Sequence, residues 1–129
     1  MSHMSDPIGD LLTRMRNAQR VRHEECRAPW SRVKEELATL LKKEGWIAEC
    51  SVEGEGISRE IVIRFAEGKN ALELKRVSKP GRRVYAGYQD LQPILRGYGM
   101  AVLTTSTGLM TDRDARKKRV GGEVLCTIA

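Results

Sequence analysis

The residue pattern predicts an α+β protein built from two small packed domains. Three observations carry that expectation. Helical and strand periods alternate through residues 5–67. Strand and turn signals dominate residues 68–129. The net charge belongs entirely to the second part: thirteen Lys and Arg cancel thirteen Asp and Glu up to residue 75, whereas ten oppose four beyond it, giving the whole +6.

The first domain, 5–67, reads as helix, strand, helix, strand, strand, a layer of helices on a small sheet. Asp6-Pro7 starts the first helix, with Asp at the N-cap and Pro at the first helical position. Ile8, Leu11, Leu12 and Met15 recur at helical spacing and form one buried stripe, leaving Arg14, Asn17 and Arg20 off it. A short strand over Glu24 to Ala28 ends at Pro29. Ser31 caps a second helix whose apolar face is Val33, Leu37, Leu40 and Leu41, and Gly45 closes it in a left-handed conformation. Trp46, Ala48, Cys50 and Val52 alternate as a strand. After a Gly54-Glu55-Gly56 turn, Ile57, Ile61, Ile63 and Phe65 form the return strand of a hairpin.

The second domain, 68–129, is expected to be mainly antiparallel β with short helices. Gly68-Lys69-Asn70 breaks the chain, and Leu72 to Val77 reads as a strand. Pro80-Gly81 turns it back onto a partner at Val84 to Ala86. Asp90 caps a short helix through Ile94 and Leu95, closed by Gly97 and Gly99. Met100 to Thr105 is a strand, Ser106-Thr107-Gly108 a turn, and Leu109-Met110 the return. Asp112 to Arg119 is a short basic helix. Gly121-Gly122 breaks it, and Glu123 to Ile128 is the last strand. With no repeat or low-complexity linker in view, the two halves are expected to pack directly together.

Apolar content at a globular level argues against disorder. No apolar run is long enough to cross a bilayer, and the N-terminus lacks a secretory pattern, so a soluble cytoplasmic protein is expected. Met1-Ser2-His3-Met4 stands outside the fold reasoning, with a natural start expected at or near Met4. Cys26, Cys50 and Cys126 are odd in number and far apart, and His3 and His23 lack ligand spacing. No disulfide, metal or cofactor is therefore expected, and the cysteines read as small buried apolar residues.

The one-sided positive charge favours a polyanionic partner, nucleic acid before membrane, because no basic amphipathic helix with aromatic anchors is present. Four segments carry candidate chemistry. Thr104-Thr105-Ser106-Thr107-Gly108 offers short hydroxyl donors and acceptors that match base edges, phosphates and the 2′-OH of RNA, or that satisfy their own turn. Gly121-Gly122-Glu123 combines close backbone approach with an acid able to accept from a base amino group or ribose, or to hold the hydroxyl loop. Lys79-Pro80-Gly81-Arg82-Arg83-Val84-Tyr85 sets cations and a stacking ring on a tight turn. Arg113, Arg116, Lys117, Lys118 and Arg119 suit non-specific phosphate contacts. Enzyme signals are weak: there is no phosphate-binding loop, no histidine lies near Ser106 to activate it, and Asp112 and Asp114 fall on different helical faces.

Several motifs together resemble one family. Asp6-Pro7-Ile8 with Leu12-Thr13-Arg14-Met15-Arg16-Asn17-Ala18, Leu41 to Ile47, Arg76 to Tyr85, Thr104 to Asp112, and Gly121 to Cys126 resemble, in order and spacing, the eighth small-subunit ribosomal protein family of bacteria. The resemblance implies a non-catalytic, cytoplasmic protein of the small ribosomal subunit, monomeric outside it, with no cofactor. Such a protein binds the central domain of small-subunit ribosomal RNA at a distorted helix, supports assembly beside neighbouring ribosomal proteins, and in some bacteria represses its own operon's messenger. Carried over to this sequence, the RNA-binding residues are Thr104, Thr105, Ser106, Gly122, Glu123 and Tyr85, with a second contact near Ser5, Arg14 and Asn17, and the basic turn adds Arg82 as a further RNA-binding candidate. Thr104 replaces a common Ser, and Thr107 replaces a common Lys, which removes one cation. A free-standing messenger-binding regulator would use the same surface. A protein scaffold binding acidic partners and a hydrolase using Ser106 are the remaining alternatives.

Overall fold

A computed structural model describes residues 6–67, 71–90 and 99–129. The expected break at 68–70 and the helix expected through Ile94 and Leu95 lie outside the described residues, as does Ser5. The chain divides into two compact units, Pro7–Leu72 and Glu73–Ala129, the latter including Asp6.

In the first unit, α1 (Pro7–Arg20), β1 (Glu25–Pro29), α2 (Arg32–Lys43), β2 (Glu49–Glu53) and β3 (Glu60–Arg64) follow in order. The three strands form an antiparallel sheet in the order β1-β3-β2. The α1 stripe of Ile8, Leu11, Leu12 and Met15 is buried as its spacing requires, and Ala18 extends it. In α2 the buried face is Leu37, Ala38, Leu41 and, unexpectedly, Lys34, while Val33 and Leu40 are only half-buried. Ser31 caps the helix through the Lys34 amide. Its end is a Schellman motif: Trp46 N–H donates to the Leu41 carbonyl at 2.9 Å and Gly45 N–H to Lys42 at 3.1 Å. Gly45 takes φ +83, the left-handed conformation the motif needs.

Two strand expectations need correction. The alternation assigned to Trp46 through Val52 does not place an inward face there: β2 is an edge strand without a buried residue, and Ile47, before it, fills the core. Ile57 lies in a 3-10 turn (Gly56–Ser58) and is fully exposed, so the return strand starts at Glu60. The turn dominates because Gly54 (φ +89) and Gly56 (φ +59) both bend the backbone away from the ladder.

Buried Lys34 is tolerated because its charge is satisfied. Its Nζ donates to Asp10 Oδ2 at 2.8 Å and to the Pro29 carbonyl at 3.1 Å. Partial burial pushes the Asp10 carboxyl upward, but hydrogen bonds from Lys34 and then Arg14 outweigh it and hold Asp10 below its ordinary value of 3.8. Trp30 is fixed in the same unit by its indole bond to Glu35 (2.8 Å) and by the Arg59 guanidinium 3.7 Å above its ring.

The second unit contains β4 (Leu74–Arg76), β5 (Tyr85–Ala86), a 3-10 turn (Tyr88–Asp90), β6 (Met100–Thr105), β7 (Gly108–Thr111), α3 (Asp112–Lys118) and β8 (Gly122–Ile128). The sheet order is β4-β8-β6-β7, with β5 also on β8. The expected hairpin between β4 and β5 is therefore corrected. Lys79 and Arg82 bridge the Pro80-Gly81 turn, but β4 then pairs with Cys126–Ile128 and β5 with Gly122–Glu123, end to end along one edge of β8. Buried Ser78 explains the divergence. Its hydroxyl accepts from Val84 N–H at 2.8 Å and donates to the Val84 carbonyl at 3.2 Å, occupying groups a ladder would use. Ala101, Leu103, Met110 and Ala115, with Val120 and Val124, form the core between the sheet and α3. Cys26 and Cys126 are buried as expected, and burial raises their thiols to about 11 and about 12, whereas Cys50 is half-buried.

Gly45→Ala should destabilise the protein by about 1 kcal/mol in chemical denaturation. No atom lies within 4 Å of an added Cβ, so the loss isolates backbone strain. Asp10→Asn leaves Lys34 without its carboxylate. Because Asp10 is 41% exposed, the expected loss at pH 7 is about 1–2 kcal/mol rather than the full cost of an unpaired buried charge. A depressed carboxyl stabilises above its unfolded pKa, so the gap between wild type and variant should narrow as pH falls below 3.8. A gap that widens on acidification would contradict this account.

Candidate nucleic-acid interface

β6, β8 and β5 bring distant residues into one cross-strand row. Thr104 pairs with Glu123, Glu123 with Tyr85, and Thr104 also with Leu109 of β7. Residues directly opposite one another share a sheet face. Leu103 points into the α3 core, so by alternation Thr104 and its row occupy the face away from α3. Tyr85 is 71% exposed there. Glu123 is mostly covered and receives Arg83 Nη1 on Oε2 at 3.1 Å.

The hydroxyl segment divides by position. Thr104 is half-buried in the row. Thr105 alternates to the α3 side and spends its hydroxyl inside the turn: it accepts from Thr107 N–H at 3.2 Å, donates to the Gly108 carbonyl at 3.0 Å, and lies 3.1 Å from the Thr107 hydroxyl. It therefore shapes the turn rather than extending from it. Ser106 is exposed at the tip.

Gly122 is required, but by the chain's own packing. A Cβ there would overlap the Thr104 carbonyl oxygen. At Gly121 an added Cβ would sit 2.6 Å from the Ala86 oxygen. The close approach expected of these glycines is thus between neighbouring strands.

Arg82 is exposed on the turn. The basic run of α3 is exposed at Arg113, Lys117, Lys118 and Arg119, whereas Arg116 reaches back to buried Asp112 at 3.0 Å. Asp112 also accepts from Ala101 N–H, which makes it a structural acid. In the first unit, Arg14 and Asn17 are exposed and line an open groove with Arg20, Val21 and Arg27. Arg14 is not loose: Nε bonds both Asp10 oxygens at 3.1 Å, and Nη1 donates to the Arg27 carbonyl at 3.2 Å.

Sequence reasoning counted Arg83 only among the cations of the Lys79–Tyr85 turn and gave Ser78 no role. Arg83 had a signal: two residues before Tyr85, it shares that ring's side of an extended chain, which Arg82 does not. Ser78 had none, because its partner is backbone. Chemically, the row can stack a ring on Tyr85, offer hydroxyls at Thr104 and Ser106, and present a cation beside a carboxylate. Further along the same face Val102 and Cys126 are fully buried, so what is open to a large partner is the end of the sheet, at Tyr85 and the Ser106 tip.

The family model of ribosomal protein S8 matches residues 6–129. Small ribosomal subunit protein uS8 of Synechococcus elongatus is 49% identical over 130 residues, covering 97% of this chain and 98% of that protein. The uS8 proteins of Prochlorococcus marinus (49% over 128 residues, 95% and 96% covered) and Rubrobacter xylanophilus (46% over 129 residues, 97% and 98% covered) are similar in the same way. These are proteins of the small ribosomal subunit, which defines the class. The chain belongs to the ribosomal protein S8 family and is a structural constituent of the ribosome.

Gly122→Ala should lower stability by about 1–3 kcal/mol and reduce the thermal midpoint by several degrees in far-UV circular dichroism. An unchanged midpoint would mean that β6 and β8 do not approach as described.

Proposed function

We propose that this protein binds small-subunit ribosomal RNA directly, in its central domain, and supports assembly of the subunit in the cytoplasm without catalysing a reaction. The domains 5–67 and 68–129 then divide the work, the second gripping a distorted RNA helix and the first adding a contact near Ser5, Arg14 and Asn17. Neighbouring ribosomal proteins complete its surroundings.

The observation that carries this reading is the row of Tyr85, Glu123 and Thr104, taken from three strands and set beside the exposed Ser106 tip. Ring and hydroxyls match the groups an irregular RNA exposes: an unstacked base, base edges and the 2′-OH. Exposed cations at Lys79, Arg82, Arg113, Lys117, Lys118 and Arg119 supply sequence-independent attraction to phosphates.

Ser106→Ala should weaken binding to small-subunit ribosomal RNA about fivefold, the worth of about one hydrogen bond, and leave affinity for a regular RNA duplex unchanged. Filter binding with both RNAs measures the two effects. Equal losses on both would remove Ser106 from the specific site. Messenger pull-down from cells, compared with recovery in small subunits, tests whether the same surface also holds the operon's transcript.

A further inference from the structure

The geometry points to Arg83, rather than Arg82, as the specificity-determining cation of the C-terminal unit, with Glu123 as the residue that aims it. This inference rests on the RNA-binding reading above and assigns the ligand: one unstacked nucleotide, its base on Tyr85 and its phosphate, or the acceptor edge of a neighbouring base, on the Arg83 fork.

Glu123 sits at the centre of the row, between Tyr85 on β5 and Thr104 on β6. Its side chain is 12% exposed, so its carboxylate has little room to meet a partner itself. One oxygen already accepts from Arg83 Nη1 at 3.1 Å. Arg83 is 47% exposed, and no other acceptor among the described residues takes its remaining guanidinium N–H groups. A guanidinium presents five donors in a rigid plane. Anchoring one nitrogen to a covered carboxylate fixes that plane and leaves its other donors outward.

The surroundings reinforce this orientation. The Arg83 backbone leaves a tight Lys79–Arg82 turn closed by two backbone bonds of 2.9 Å. The next residue, Val84, is held by buried Ser78 at N–H and carbonyl and by Val124 N–H at 2.9 Å. Arg83 therefore has both its backbone exit and its side-chain end constrained, whereas Arg82 forms no ion pair among the described residues. Tyr85 lies on the same face and is exposed for stacking. A fixed fork beside an exposed ring discriminates a splayed nucleotide from regular duplex RNA. A loose lysine or arginine adds affinity to both.

Dissociation constants for transcribed small-subunit ribosomal RNA and for a regular RNA duplex of equal length distinguish the roles. Arg83→Ala and Arg83→Lys should each weaken ribosomal RNA binding about tenfold or more and duplex binding by less than about threefold. Arg82→Ala should weaken both RNAs by similar small factors. Glu123→Gln should weaken ribosomal RNA binding in the wild-type background and add nothing once Arg83 is Ala. Additive losses would make Glu123 a direct RNA contact and overturn the positioning role. Wild-type affinity for Arg83→Lys would overturn the fork. That comparison uses an exposed side chain, so it holds even if Glu123→Gln fails to fold. Loss of discrimination in Ser106→Ala and Tyr85→Ala, with Arg83→Ala at wild-type affinity, would sink this inference and leave the RNA-binding reading standing. Unaltered discrimination in all three would end both.

Discussion

The C-terminal unit depends on one irregularity and the cation that holds it. Between the Val102–Cys126 and Leu103–Val124 pairs, β8 carries an extra residue, Leu125. Such a bulge reverses the alternation of everything beyond it. Cys126 and Glu123 are an odd number of residues apart and would face opposite sides of a regular strand. The bulge puts both on the face away from α3, Cys126 opposite Val102 and Glu123 opposite Thr104. The carbonyl at the bulge is satisfied from two directions, by Val77 N–H at 2.9 Å and by Arg76 Nη1 at 2.6 Å. Arg76 is itself mostly covered and forks onto Asp6 at 3.0–3.3 Å. A strand whose alternation would otherwise turn Glu123 toward α3 is thereby made to deliver it to the row of Tyr85 and Thr104.

Local rules reached most of the fold because most elements obey them. The α1 stripe, the Ser31 cap, the Gly45 terminator and the β6–β7 hairpin each follow from adjacent residues, and each is present. Departures occur where tertiary partners override local preference. Lys34 is buried because Asp10, far from it in sequence, receives its charge. Val52 looks like an inward strand residue, yet β2 lies at a sheet edge where nothing covers it fully. Val84 to Ala86 turns back after Pro80-Gly81 as a hairpin should, but a single serine hydroxyl diverts it to β8. No periodicity in the sequence encodes that diversion.

The candidate site was legible as composition and less so as arrangement. The hydroxyls, the Gly-Gly-Glu turn and the basic hairpin stand out in the sequence, but their division of labour does not. Thr105 serves its own turn and Gly122 admits a neighbouring strand, so two residues chosen for a ligand act on the scaffold. Arg83 was overshadowed by its neighbour because two adjacent arginines look alike until the strand assigns them sides. Glu123 could be placed beside Tyr85 only by knowing that β5 joins β8, and beside Thr104 only by knowing of the bulge.

The central position of β8 also bears on biosynthesis. Translation runs from the amino end, and β4, β5, β6 and β7 all precede β8. Until Gly122–Ile128 leaves the exit tunnel, the nascent chain holds separate strand segments whose shared neighbour has not yet been made. The first unit, whose sheet closes through β3, can mature earlier on its own. A partly made chain is thus unable to display the assembled sheet face, which arrives late and all at once.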